Sequence, residues 1–252
     1  MDKYKITNKQ TEILSLLLKF RFLTRKQIQA MLGHKHPGRI FAWLNELKNH
    51  DYLCYYYEKN FDNNPALYSL GKNGRKYLKK EKDIGKKADK IRKEKKYSER
   101  FKSNCIFIAD IYLSLLRLKG AKIHFYTKSD LSGVKHIISP NPDAYFAVEN
   151  KDSIKRYFLE VFNDNLRTNI LRYRVKAYMS YYESDEWLDN TDKPFPEIIL
   201  ICPSTKLKNH LYYYIREKLD EDDYPNFYLT TKESVLSKGL TRETLEKINP
   251  KE

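Results

Sequence analysis

In the N-terminal third of the chain, apolar positions recur at helical spacing three times and then give way to a strand-like run. Ile13, Leu16, Leu17 and Phe20 mark one face of a helix over Asn8–Phe20, with Thr7 or Asn8 placed to cap its first turn. Thr24 offers a second cap, after which Ile28, Met31 and Leu32 line a short helix that stops at Gly33. Pro37 suits the first position of a third helix, Gly38 to His50, whose Ile40, Leu44 and Leu47 face inward and leave Arg39, Asn45 and Lys48 outside. Tyr52–Tyr57 and Ala66–Leu70 then read as aromatic-rich strands on either side of a polar loop, Glu58–Pro65.

Residues 79–102 break this pattern with a polar segment in which Lys or Arg fills about half the positions, a solvated helix or linker by the usual spacing of opposite charges. Ile106, Phe107, Ile108, Ile111, Tyr112, Leu115 and Leu116 restore helical spacing up to Gly120, and this apolar helix is expected to pack inside a second domain. The period then becomes that of strands: 121–127, 144–148 and 156–162, a long helix over 166–183, an apolar strand at Glu197–Cys202, a helix over 207–219 and a last strand at 227–230. The apolar core of Glu197–Cys202 implies burial on both faces, so the second domain is α/β. The expected division is 1–80, a basic connector 81–102, an α/β domain 103–232 and a weakly structured tail 233–252.

The run Arg39-Ile40-Phe41-Ala42-Trp43-Leu44-Asn45-Glu46-Leu47 followed by Asp51-Tyr52-Leu53 resembles the recognition helix of winged-helix DNA-binding domains entering its first wing strand. Tyr68-Ser69-Leu70-Gly71-Lys72-Asn73-Gly74 resembles the end of that wing. The resemblance spans residues 5 to 80. It implies that the third helix enters a major groove with Arg39 as the first choice for a base contact and Asn45 and Lys48 farther along, while Lys35 and His36 approach the backbone just before it. Arg25 and Lys26 would neutralise phosphates, and Lys59, Asn60, Asn63 and Asn64 on the wing tip would reach the adjacent minor groove. Trp43 is either a core or interface residue, and Lys48 and Lys59 read equally well as ordinary solvated charges.

Composition favours the same partner. Lys and Arg total 48 against 33 Asp and Glu, a formal net charge of +15, and such a surplus attracts polyanions, double-stranded DNA first among them. A generally Lys-rich proteome would give the same number. No stretch approaches the apolar length of a membrane helix and Met1-Asp2-Lys3-Tyr4 opens no signal-peptide core, so a cytoplasmic protein without membrane contact is expected. Cys54, Cys105 and Cys202 form no Cys-x-x-Cys pair, and His34 and His36 lack further ligands at zinc spacing. The 21 tyrosines include no nucleophile with an assembled metal or arginine site around it.

One segment carries candidate chemistry. Pro142-Asp143-Ala144-Tyr145-Phe146 is followed by Glu160 in Phe158-Leu159-Glu160-Val161-Phe162, and the pair resembles the Pro-Asp…(Asp/Glu)-x-Lys arrangement of the restriction-endonuclease-like superfamily. The resemblance implies two carboxylates holding Mg2+ while a lysine orients the attacking water. Phe162 occupies the lysine position. Three readings stay open: Asp143 and Glu160 are ordinary strand residues; the fold is a nuclease scaffold kept for binding; or a basic residue has migrated to the next helix, where Arg167, Arg172 and Lys176 are candidates, making a metal-dependent endonuclease. The expected cofactor is therefore none, or Mg2+ if that site is active.

The ordered set of winged helix, basic connector, apolar helix, Pro-Asp-Ala-Tyr-Phe, Phe-Leu-Glu-Val and Lys176-Ala177-Tyr178-x-x-Tyr181-Tyr182 resembles the replication-relaxation family of plasmid and mobile-element proteins, over residues 5 to 230. It implies an α+β or α/β chain, a winged helix-turn-helix followed by a restriction-endonuclease-like domain, acting as an accessory DNA-binding factor in plasmid replication or mobilisation. The expected partners are a plasmid origin and a relaxase or replication initiator; a homodimer would suit a winged helix that reads a palindrome, although no heptad seam enforces one. A protein-interaction adaptor or transcriptional regulator is the alternative in which the domain serves another partner.

Overall fold

The structure, a computed structural model, describes residues 4–57, 65–80, 97–164, 166–219 and 223–250. The chain falls into two compact units, 1–113 and 114–252. The first contains α1 (Asn8–Phe20), β1 (Leu23–Thr24), α2 (Arg25–Met31), α3 (Pro37–Asn49), β2 (Leu53–Tyr56), β3 (Leu67–Leu70), α4 (Lys72–Leu78) and most of α5 (Glu99–Leu115). Two capping boxes set the helix starts: Thr7 and Thr24 each accept from a backbone N–H three residues on, while Gln10 and Gln27 reach back to the cap. Ile13, Leu14, Leu17, Ile28, Ile40, Leu44 and Leu47 are buried, as are Leu23, Leu53, Tyr68 and Leu70 of the strands. The sheet runs β1-β3-β2, antiparallel throughout, which makes the unit a winged helix-turn-helix.

Strand β1 escapes sequence reading because two residues leave no period, yet Leu23 and Thr24 pair with Tyr68 and Leu67. The apolar helix expected in the second domain packs extensively on the first instead. Phe101 meets Phe22 edge-on at 6.1 Å, Tyr112 lies 5.3 Å from Phe20, and Gln27 Nε2 donates to Ile106 O at 2.9 Å and to Asp110 Oδ1 at 2.7 Å. A strong apolar period says that a helix is buried, without saying against what. Residues 81–96 of the expected connector lie outside the described residues, and its end, Glu99–Lys102, is the first turn of α5.

The wing closes onto the C-terminal end of α3 through two glycines. A Cβ on Gly71 would stand 2.3 Å from Asp51 O, and one on Gly74 2.3 Å from Tyr52 O; the Gly71 N–H donates to Tyr52 O at 2.8 Å. Gly71→Ala is therefore expected to cost about 1–3 kcal/mol, the usual range for forced overpacking. Urea denaturation of the variant checks this, and an unchanged midpoint would mean that the two backbones separate freely.

The second unit is built on a six-stranded sheet in the order β4-β5-β6-β7-β8-β9. Its strands are β4 (Lys122–Thr127), β5 (Ala144–Glu149), β6 (Ile154–Val161), β7 (Glu197–Cys202), β8 (Phe227–Thr231) and β9 (Glu246–Lys247). The pairs β4–β5, β5–β6 and β8–β9 are antiparallel, whereas β6–β7 and β7–β8 are parallel. Parallel neighbours need crossovers, and α7 (Thr168–Glu183) and α9 (Thr205–Arg216) supply them and pack against each other. Side-chain alternation sends Phe158, Glu160 and Phe162 to the same side as Ile198, Leu200 and Phe227, and the aromatic and aliphatic members of that set form one core with Leu171, Val175 and Tyr178 of α7. The short helices α6 (Lys128–Leu131), α8 (Glu186–Thr191) and α10 (Lys232–Lys238) complete the unit.

The tail expected to be weakly structured is folded. Thr231 caps α10, Val235 and Ile248 are buried, Ile248 N–H donates to Phe227 O at 3.0 Å, and β9 adds an edge strand. Val235, Leu240 and Ile248 are well-spaced buried apolar residues that anchor a segment whose overall polarity hid them. Among the described residues no helix is long and apolar enough to cross a membrane. The three cysteines are free thiols, and burial pushes the Cys202 thiol up to about 12, against a small downward pull from Lys208.

Candidate nucleic-acid interface and carboxylate pair

On α3 the buried stripe Ile40, Leu44 and Leu47 fixes which residues face away. Gly38, Phe41, Ala42 and Lys48 are exposed and Asn45 is half-buried, all on the outward side. Glu46 is held toward α1, where its carboxylate accepts from Gln10 Nε2 at 2.7 Å. Arg39 is exposed, and its guanidinium lies over the Trp43 ring at 5.9 Å. Trp43 is also met edge-on by His34 at 5.1 Å, and His36 stands edge-on to His34. This half-buried indole thus supports the arginine from below. Lys48 Nζ sits 4.8 Å above the Tyr55 ring on β2, which holds a cation where the helix meets the wing.

Lys26, Lys35 and His36 are exposed, and Arg25 is half-buried at the start of α2. Lys59, Asn60, Asn63 and Asn64 lie outside the described residues. Sequence reading passed over Phe41, which is 50% exposed in the centre of the outward stripe. Its signal is an aromatic one position from a buried isoleucine on an otherwise polar helix face.

In the second unit the strand pairing brings Asp143 and Glu160 together. Ala144 pairs with Leu159, so Asp143 stands beside Glu160 one step along. Both carboxylates are engaged. Asp143 N–H donates to Leu159 O at 3.0 Å, its Oδ2 accepts from Val161 N–H at 2.9 Å, and its Oδ1 lies 3.6 Å from Lys128 Nζ. Glu160 is buried beneath α7, where Oε1 accepts from Arg174 Nε at 2.9 Å and from the Tyr178 hydroxyl at 2.7 Å. Burial pushes the Glu160 carboxyl up, the Arg174 cation pulls it back, and the charge on Asp143 adds an upward push. Burial also pushes the Tyr178 hydroxyl well up, aided by the Glu160 charge.

The basic residue that reaches Glu160 is Arg174, one helical turn before Tyr178 on the same face of α7. None of the expected migrants takes that place. Lys176 and Arg167 are exposed, and Arg172 Nε donates to His210 Nε2 at 3.2 Å on α9. Phe162, in the position of the motif lysine, belongs to the core. The pair does not fit a hard divalent ion, which needs several free oxygen ligands. Glu160 spends its inward oxygen on a guanidinium and a phenol, and a second cation at that carboxylate would face the Arg174 charge at contact distance. Among the described residues no group of three or more His, Cys, Asp or Glu converges to hold a metal.

The family described as Replication-relaxation matches residues 14–198. A search of curated proteins finds no match. Among solved structures, the zinc-responsive MarR family member ZitR of Lactococcus lactis is 20% identical and covers 46% of this chain and 76% of its own, with a TM-score of 0.28. A cysteine-to-serine mutant of ZitR in complex with DNA is 21% identical over 46% of this chain and 75% of its own, also with a TM-score of 0.28. The restriction endonuclease FokI bound to DNA is 13% identical over 94% of this chain and 46% of its own, with a TM-score of 0.29.

Proposed function

The chain belongs to the replication-relaxation family, and from that premise we propose that it is a duplex-DNA-binding accessory factor of plasmid or mobile-element replication or mobilisation, acting beside a relaxase or replication initiator. The observation that carries this reading is the outward face of α3. A helix whose apolar stripe is fully buried presents Phe41, Asn45 and Lys48 together, with Arg39 on its flank. A helix of this width suits the major groove. In this reading Arg39 and Asn45 contact base edges, Phe41 packs on a thymine methyl, and Arg25, Lys26, Lys35, His36 and Lys48 contact phosphates. Lys59, Asn60, Asn63 and Asn64, outside the described residues, are proposed to add further contacts.

The second unit acts as a scaffold in this account. Its carboxylate pair is tied into strand pairing and a buried ion pair, so Asp143 braces the strand pairing, Glu160 ties the sheet to α7, and no hydrolytic step runs through them. Arg39→Ala is expected to weaken binding of the full chain to a duplex pool about tenfold or more, the loss of one base contact being worth about 1–3 kcal/mol. Fluorescence anisotropy on labelled duplexes reads this directly. Unchanged affinity in both Arg39→Ala and Lys48→Ala would remove α3 from the interface.

A further inference from the structure

We propose that the outward faces of α7 and α9 form a second nucleic-acid surface, one that takes single-stranded DNA by stacking bases on Tyr173 and Tyr213 between basic side chains. The proposal goes beyond the duplex reading of α3 and uses none of its residues.

The placement follows from helical geometry. On α7 the core takes Leu171, Arg174, Val175, Tyr178 and Tyr181, which turns Arg172, Tyr173 and Lys176 outward at successive positions of one stripe, all exposed. On α9 the core takes Leu211 and Ile215, which turns Lys206 and Tyr213 outward. Arg172 joins the two stripes into one face. Its Nε donates to His210 of α9, and its guanidinium lies 5.0 Å from the centre of the Tyr214 ring. Tyr173 and Tyr213 are 67% and 64% exposed, more than the other large apolar or aromatic residues on either helix.

Charge identifies the occupant. The two helices carry a single acidic residue, Glu183 at the last position of α7, while Arg172, Lys176, Lys206, Lys208 and Arg216 are all basic. Of these, Lys208 is engaged by Glu246 at 2.7 Å, Arg172 is committed to His210 and Tyr214, and Arg216 is half-buried, so Lys176 and Lys206 are the exposed cations beside the tyrosines. A protein partner of ordinary composition would not call for a face this uniformly positive. Widely exposed rings interleaved with cations are what an unpaired strand requires, since every base offers a stacking face and every link a phosphate. A duplex hides its bases in the stack and gains only from the cations.

The test is anisotropy titration of the full chain with labelled oligo(dT), an oligo(rU) of equal length and a duplex, using Tyr173→Ala, Tyr213→Ala, the double variant and the matching Phe variants. All of these substitutions lie on the surface and leave the core untouched. The expected result is a loss of oligo(dT) affinity of about tenfold per tyrosine, as stacking losses usually run. Phenylalanine restores it, duplex affinity is unchanged, and Arg39→Ala shows the reverse pattern. Three results overturn the proposal: wild-type protein that does not bind oligo(dT), alanine variants that bind it normally, or equal losses on duplex and single strand. Tighter binding of oligo(rU) than of oligo(dT) overturns the assignment to DNA. Loss of duplex binding in Arg39→Ala stands or falls separately, so the two surfaces fail independently.

Discussion

Replacing Arg174 with alanine is expected to destabilise the second unit by about 3–5 kcal/mol, the range seen when one partner of a buried ion pair is removed. The reason lies in what stays behind. Glu160 is 7% exposed, and without the guanidinium it keeps, among the described residues, the Tyr178 hydroxyl alone against the full cost of a charge out of water. Substituting both partners, Arg174→Met with Glu160→Leu, is expected to recover most of the loss, because apolar residues of similar volume replace such pairs at little cost.

Acid distinguishes a stranded charge from a simple cavity. Burial already pushes the Glu160 carboxyl up, and Arg174 is the main opposing influence. A group whose folded pKa is raised contributes stability that is full below its unfolded pKa and is lost as pH rises through the folded one. Removing Arg174 raises that pKa further. The deficit of Arg174→Ala relative to the native chain should therefore be smallest in acid and grow as pH rises through the Glu160 titration. Parallel urea melts across pH measure it, and a deficit independent of pH would mean that only packing was lost.

Duplex binding should fall by about a hundredfold to a thousandfold between about 50 and 200 mM salt, as expected for four to six neutralised phosphates. In the proposed reading these contacts include Arg25, Lys26, Lys35 and Lys48. Because each phosphate contact contributes close to one unit of slope, Lys48→Ala should flatten the plot of log affinity against log salt by about one, with a similar loss on every sequence. Arg39→Ala should lower affinity across the pool and most of all on the preferred sequences. An adaptor surface with an apolar centre would show little salt dependence in either variant.

The winged helix was legible in the sequence because Ile40, Leu44 and Leu47 repeat at a clean helical period and Thr24 and Pro37 punctuate the helix starts. Most strands of the second unit were also legible, since Phe158–Val161 and Ile198–Ile201 combine apolar runs with clear boundaries. What stayed hidden depended on distance in space. The Arg174–Glu160 pair joins a strand to the helix that follows it, and periodicity cannot report such a contact. One clue was present: Arg174 and Tyr178 interrupt the inward stripe of Leu171 and Val175 one turn apart, so a polar group had to meet them in the core. Arg167, Arg172 and Lys176 offer charge close to Glu160 in sequence, but Arg167 is the exposed cap before α7 and the faces that Arg172 and Lys176 occupy on that helix point elsewhere. The fate of α5 and of residues 233–250 was hidden for a related reason: an apolar residue declares burial but not its neighbour.

The most direct measurement is equilibrium binding of the full chain to a labelled duplex pool at low and high salt, with Mg2+ and then Mn2+ present, and the same samples run afterwards on a denaturing gel. The expected result is salt-sensitive binding, weakened by Arg39→Ala, with every strand intact. Metal-dependent cutting that disappears in Asp143→Ala, or an absence of duplex binding at low salt, would contradict it.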